Sequence, residues 1–315
     1  MSNDIEMSFS GKGFGVLLAF QPAAQMRVTG DDAFSFLQGQ FSNELRAPAG
    51  SATYGLWLNQ KGKVLADSHV LRLRENEFLL LSSSSPAGVI RSRLEQYIIA
   101  DDVTLLDETE NVRGLAFWGE NSGKFLGEWL GALPSPGSFL RKGELLVFSG
   151  RRTDGENFEI IGPENLRDEA REYFVARGGR EIAGEAAELA RISAGIPSIP
   201  RDIGPADLPN EAGLEATAIS FTKGCYLGQE VMARLKNSGQ VRRLLRGVRG
   251  EGAAPQSGSG LFQGAKKVGE IRSAVSMATE FVALAMFTRL ALDEHSGLTF
   301  EPTAEPVKKG PVWMT

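Results

Sequence analysis

Two kinds of apolar spacing interleave along the first two-thirds of the chain, and both fade after Ala194. Gly13–Phe20 reads as a strand, and Thr29-Gly-Asp-Asp opens a helix on whose one face Phe34, Leu37, Phe41 and Leu45 recur. Ala52–Asn59 and Lys63–Leu73 read as two strands around the turn Gln60-Lys-Gly-Lys. A helix after Pro86 gathers Val89, Ile90, Leu94, Tyr97 and Ile98. Strands are expected at Val103–Leu106, Val112–Trp118, Glu144–Phe148 and Phe158–Ile161, with Asp154-Gly155 turning between the last two. Helices are expected at Ser122–Leu130, Pro163–Arg177 and Ala183–Ser193. From Gly195 to Leu214 the chain is rich in Pro and Gly and reads as an irregular crossing segment. Gly250–Gly260 is small, polar and flexible and reads as a loop between strands or a domain joint, and Leu261–Phe300 as short β-runs. No internal repeat is present. The pattern predicts an α+β body over 1–240, a small β-barrel over 241–301 and a tail over 302–315.

Composition narrows the chemistry. The 315 residues hold one Cys and two His, His69 and His295. That excludes an intrachain disulfide framework, a three-histidine metal site and a cluster held by this chain's thiolates alone. No metal site is expected. With 34 Lys+Arg against 39 Asp+Glu the net charge is −5, which is not the balance of a general nucleic-acid binder. The N-terminus has no basic region ahead of its apolar stretch, so no signal peptide is read. Ala274–Leu292 carries Glu280 and Arg289, and no membrane span is expected. The cytoplasm is the default compartment.

The densest chemical signal is Phe221-Thr-Lys-Gly-Cys-Tyr-Leu-Gly-Gln-Glu230. Gly224 and Gly228 permit tight bends around Cys225, and an ammonium at Lys223 would favour the thiolate if the two groups approach. Gln229 begins a helix with Glu230 suited to its positive end. The plain alternative is a small core cysteine. Two weaker signals are a misspaced glycine string, Gly11-Lys-Gly-Phe-Gly, which is not read as a phosphate loop, and a basic stretch holding Arg234, Lys236, Arg242, Arg243, Arg246 and Arg249. That stretch would attract a polyglutamate tail, tRNA phosphate or an acidic partner; a solvated face is the ordinary account.

The cysteine string resembles that of the YgfZ-type folate-binding proteins, a branch of the superfamily containing the aminomethyltransferase (T-protein) of glycine cleavage. Val28–Asn43, Leu58–Asp67, Arg191–Pro197, Leu208–Glu211 and Lys267–Ala274 resemble further family segments, in order, from about residue 14 to residue 290. The resemblance implies a three-part, cloverleaf-like fold with two intertwined subdomains in the body, a central channel that holds tetrahydrofolate or a derivative, and a small C-terminal β-barrel. Within such a channel Glu211 would accept from the pterin edge, Arg191, Lys223 and Arg234 would meet the anionic tail, and Tyr226 and Trp57 would form walls.

The chain departs from the transferases at three places. Their paired Asp reads Ala66-Asp67, their Val-Asn segment reads Leu81-Ser-Ser-Ser-Ser85, and their Arg-x-Glu-Ala-Gly reads Arg191-Ile-Ser193-Ala-Gly. Asp67 is then a residual acid for the folate nitrogens, or else a solvent-facing strand carboxylate. The family resemblance implies support of iron–sulfur cluster assembly or repair and, through cluster enzymes, of tRNA thio-modification. Cys225 would be a functional thiol near the channel mouth, and assembly or client proteins the partners. The rival readings are a folate-dependent aminomethyltransferase or demethylase, and a non-catalytic adaptor that binds RNA or protein.

Overall fold

The computed structural model describes residues 15–239, 241–293, 296–303 and 311–314. Most of the Gly11–Gly15 string, and His295, lie outside the described residues. Three sheets organise the chain. The first comprises β1 (Val16–Phe20), β7 (Gly114–Trp118), β8 (Phe139–Lys142), β9 (Leu145–Ser149), β10 (Asn157–Ile161) and β11 (Arg180–Glu181), in the order β11-β1-β7-β10-β9-β8. Its pairs are antiparallel except β1 with β11. The second comprises β2 (Ala24–Thr29), β3 (Ala52–Leu58), β4 (Val64–Arg74), β5 (Glu77–Ser82) and β6 (Thr104–Asp107), ordered β3-β4-β5-β2-β6 and antiparallel throughout. The third holds β12 (Arg243–Glu251), β13 (Gly260–Gln263), β14 (Lys266–Met277), β15 (Glu280–Thr288) and β16 (Val312–Trp313), and curls as a half-barrel.

The first two sheets face each other. Leu71, Leu79 and Leu81 of the second pack on Leu146, Phe148 and Ile161 of the first. Their outer faces are covered by helices. Ala33–Gln40 and Ala87–Glu95 bury Phe36, Leu37, Ile90 and Leu94 against the second sheet, while Ser122–Leu130 and Glu164–Val175 bury Leu126 and Phe174 against the first. The helix Gly184–Ser193 joins the parts. Ala190 packs on β1 and β7, whereas Leu189 and Ile192 pack on Val275, Val282 and Leu284 of the half-barrel.

The strands of the hairpin around Gln60–Lys63 fall where the apolar alternation predicts, and Ser122–Leu130 is a helix at both expected ends. Strands β2 and β5 are additions to the expected set. The burial of β5 explains this: Phe78–Ser82 are all buried, so its sequence is a continuous apolar run without a period of two. The helix expected to carry the stripe to Leu45 ends at Gln40, because Phe41 turns extended and bridges to Trp57. Asp32 sits at the helix start, but its carboxylate accepts the Asp102 backbone N–H at 2.9 Å instead of capping its own helix. Part of the expected tail is sheet: Val312 and Trp313 pair with Arg249 and Val248, and Trp313 lies 4.7 Å from the Phe287 ring.

Candidate functional site

A cavity of about 360 Å³ opens where the first sheet, the second sheet and the helix Gly184–Ser193 meet. Asp67 and His69 reach it from the same face of β4, since residues two apart on a strand share a side. Ala66 points the other way, into the core beneath the helices. The position of the lost acid in the Ala66-Asp67 pair therefore does not face the cavity, and the surviving acid does. Ser193 is exposed and does not line the cavity either. Neither position at which this chain lacks a transferase acid therefore lines the cavity.

Asp67 is held by three hydroxyls. Ser82 Oγ and Ser85 Oγ donate to Oδ1 at 3.0 and 2.6 Å, and Tyr54 Oη donates to Oδ2 at 2.9 Å. A carboxylate offers about four lone-pair sites. The fourth, on Oδ2, has no partner among the described residues. The serine run that distinguishes this chain from the transferases thus supplies two of the three bonds that orient the acid. It also ties the cavity to the crossing segment, because Ser85 Oγ lies 3.1 Å from the Ile199 carbonyl. The Tyr54 hydroxyl is held well above its ordinary pKa, first by burial and then by the Asp67 charge, so it remains a donor.

His69 stands between the Tyr54 and Phe148 rings, at centroid distances of 5.2 and 5.1 Å. Burial first, then the charges of Arg151 and Arg152, lower its pKa to about 3, so the imidazole is neutral near pH 7. Arg152 Nε pairs with buried Glu159 at 2.9 Å, and Arg151 stacks 3.9 Å from the Tyr54 ring centre. On the opposite wall Arg191 is paired with Glu188 at 2.6 Å and with fully buried Asp202 at 2.8 Å. Burial opposes the Arg191 charge, but these two carboxylates more than compensate and raise its pKa.

Of the residues expected at a folate site, the structure brings Asp67 and Arg191 together at this cavity and places the others elsewhere. Trp57 is no wall. It is fully buried beneath Phe41 and donates from Nε1 to Ser68 Oγ at 3.1 Å. Glu211 is no free acceptor at the cavity. It caps the Leu208 N–H at 2.8 Å and pairs with Arg243 at 2.7 Å, fastening the turn Pro209–Ala212 to β12. Arg234 is exposed and pairs with Glu230 at 2.8 Å. Lys223 is buried, and its Nζ donates to the carbonyls of Gln38, Phe41 and Asn43 at 2.8, 2.7 and 2.8 Å. It closes the C-terminal end of the helix Ala33–Gln40, where a cation suits the dipole. Its ammonium is committed to that helix end rather than to the thiol. Tyr226 is buried among Leu56, Leu58, Ile199 and Met232 and does not line the cavity. Cys225 is exposed at the surface, outside the cavity lining.

The remaining motif residues build a clamp. Gly228 adopts φ +87°, and a Cβ there would lie 2.8 Å from the Asn59 carbonyl and 3.1 Å from Gly62 Cα. Gly228 is the cap of the helix Gln229–Ser238. The cysteine string is thereby pressed onto the Gln60–Lys63 turn. The basic stretch is divided in its contacts: Arg243 pairs with Asp207 and Glu211, Lys236 lies over the Phe221 ring, and Arg246 over Trp313.

Tyr54, His69, Arg151, Arg152, Glu188 and Arg201 also line the cavity and were not singled out in the sequence as site residues. The one usable signal was alternation in β3 and β4, which puts His69 on the side of Asp67.

A half-buried carboxylate caged by hydroxyls thus sits in an arginine-lined cavity between two sheets, an arrangement whose chemistry suits a small ligand with both donor and anionic groups. Comparison with known proteins gives the family. Residues 16–136 match the model of the GCVT N-terminal domain. The chain is 30% identical over 282 residues to the mitochondrial iron-sulfur cluster assembly factor IBA57 of Mus musculus, covering 78% of this chain and 73% of that protein. It is 31% identical over 230 residues to the tRNA-modifying protein YgfZ of Edwardsiella ictaluri, covering 71% of this chain and 68% of that protein. The fold is that of the glycine cleavage system aminomethyltransferase T from Bartonella henselae, with a TM-score of 0.75 at 18% identity over 91% of this chain and 81% of that one. The chain belongs to the GcvT superfamily, as a YgfZ-type member. No described helix is long and apolar enough to cross a membrane.

Proposed function

We propose that this chain binds tetrahydrofolate, or a derivative, in the cavity around Asp67 and supports the assembly or repair of iron–sulfur clusters in the cytoplasm. The observation that carries the reading is the hydroxyl cage. It fixes Asp67 with one Oδ2 lone pair free, which suits an N–H of a reduced pterin. The cavity residues fit the group: its volume of about 360 Å³ falls in the range of ligand pockets, and Arg152 Nη2 is buried without a partner. When bound, a reduced folate supplies nitrogens that carry one-carbon units. The protein's own share is to orient the ligand on Asp67, to exclude water with the Tyr54 and His69 rings, and to balance its anionic end with arginine. The names of the relatives support the iron–sulfur part of the reading and its extension to tRNA modification.

Cys225 lies apart from the cavity wall, so its thiol is assigned to exchange with an assembly or client protein docked on the surface. Anaerobic calorimetry of the full chain with tetrahydrofolate tests the ligand. Saturable one-to-one binding, weakened about tenfold by Asp67→Asn, supports it. Undiminished binding to Asp67→Asn contradicts the assigned site. Full rescue of a cluster-enzyme defect by Cys225→Ser contradicts the thiol's role.

One observation favours a second reading, a folate-dependent aminomethyltransferase or demethylase: the acid that faces the cavity is the one retained. Formation of methylenetetrahydrofolate from an aminomethyl or N-methyl donor, lost in Asp67→Asn, is its test. An adaptor role through the basic stretch has no such support, because Arg243, Lys236 and Arg246 are engaged within the chain.

A further inference from the structure

Four guanidinium groups line the cavity, and they are unequally neutralised. Arg191 has both Glu188 and Asp202, and Arg201 shares Glu188. Arg152 gives Nε to Glu159, while its Nη2 is shut off from solvent and meets no acceptor. Arg151 has no carboxylate within ion-pairing distance among the described residues. It donates from Nη1 to Thr217 Oγ1 at 3.2 Å and stacks on Tyr54. These two cations are neighbours in the turn between β9 and β10, and both bear on the neutral His69 ring. A buried cationic N–H without an acceptor costs free energy until an anion arrives. A carboxylate is the natural partner for such a fork of donors.

We propose that Arg151 and Arg152 form a carboxylate subsite of the cavity. Tyr54 couples it to Asp67, because the ring under Arg151 carries the hydroxyl that donates to Oδ2. A ligand that fills both ends presents a donor to Asp67 and a carboxylate to the arginines. The subsite rests on the folate reading for the first of these contacts only. Two sources carry the required chemistry: the glutamyl tail of a folate, and a free small carboxylate bound beside it. The residues expected for that tail from the sequence do not serve it, since Lys223 and Arg234 lie elsewhere and Arg191 is already doubly neutralised.

Anaerobic calorimetry on the full chain separates these cases. The probes are tetrahydrofolate, tetrahydropteroamide (whose terminal amide leaves no carboxylate), N-(4-aminobenzoyl)glutamate (which lacks the pterin) and glycine. If the tail occupies the subsite, tetrahydropteroamide binds the wild type about tenfold or more weaker than tetrahydrofolate. Arg151→Gln then removes that difference by weakening tetrahydrofolate alone, and Arg152→Lys, which keeps the charge opposite Glu159 but not the fork, gives a partial loss. If a free carboxylate occupies it, the two pterins bind alike and glycine titrates onto the loaded protein in an Arg151-dependent way, which also upholds the subsite. The proposal is overturned if Arg151→Gln, shown to be folded by thermal melting, binds tetrahydrofolate, N-(4-aminobenzoyl)glutamate and glycine as the wild type does. Absence of binding by both pterins would sink the folate reading instead. The subsite then stands or falls on Arg151-dependent binding of the two pterin-free probes.

Discussion

Lys223 and Cys225 sit two positions apart in one motif and do unrelated work. The ammonium of Lys223 satisfies three carbonyls at the end of the helix Ala33–Gln40. Lys223→Met leaves those acceptors without their donor, and at about 1 kcal/mol for each lost bond we expect a loss of about 3 kcal/mol in urea unfolding. Cys225 is exposed, so Cys225→Ser should alter stability by less than about 0.5 kcal/mol while impairing function in the cell. Equal destabilisation by the two substitutions would contradict this division. Asp67 is a similar lesson in reading single residues. The sequence leaves it as either a channel acid or a solvent-facing carboxylate, and the structure turns it to the cavity, where the hydroxyls of Tyr54, Ser82 and Ser85 hold it.

The hairpin β3–β4 and the helix Gln229–Ser238 meet through two glycines. Gly62 (φ +68°) and Gly228 (φ +87°) both use backbone conformations that disfavour a side chain, and Gly228 lies against the Asn59 carbonyl. We expect Gly228→Ala to cost about 2 kcal/mol or more, from the positive φ and the 2.8 Å approach together. Gly224→Ala, whose Cβ would only touch Arg46 Nη2 at 3.8 Å, should be nearly neutral. Chemical unfolding of the pair measures both; equal losses would contradict the clamp. Both glycines were legible as motif positions, but their contact was not, because 166 positions of chain separate residues 62 and 228. The same holds for the cavity. Asp67 and Arg191 carry a local signature, whereas Tyr54, Arg151 and Arg152 acquire meaning only where the two sheets meet. The regular elements with a clear period were readable. Strand β5, buried on both faces, offered no period to read.

At the scale of the molecule, the cavity is a joint between parts, and its charges tie stability to pH. His69 titrates near pH 6.5 when unfolded and near 3 when enclosed by Tyr54, Phe148 and the two arginines. Its folded pKa is depressed, so the unfolded chain binds the extra proton between those values. The stability that His69 contributes is therefore complete above about pH 6.5 and drains away as pH falls toward 3. His69→Gln should make the acid limb of the stability curve shallower in urea titrations at pH 7, 5.5 and 4.5. Parallel decline of variant and wild type would contradict the assignment. The helix Gly184–Ser193 transmits the same logic to the third sheet, since it packs Leu189 and Ile192 on the half-barrel while presenting Glu188 and Arg191 to the cavity. The most direct test of the account is a crystal structure of the full chain grown anaerobically with tetrahydrofolate. The account predicts ligand density in the cavity with a pterin or linker N–H within hydrogen-bond distance of Asp67 Oδ2. Ordered ligand bound elsewhere, with Asp67 touching only Tyr54, Ser82 and Ser85, would contradict it.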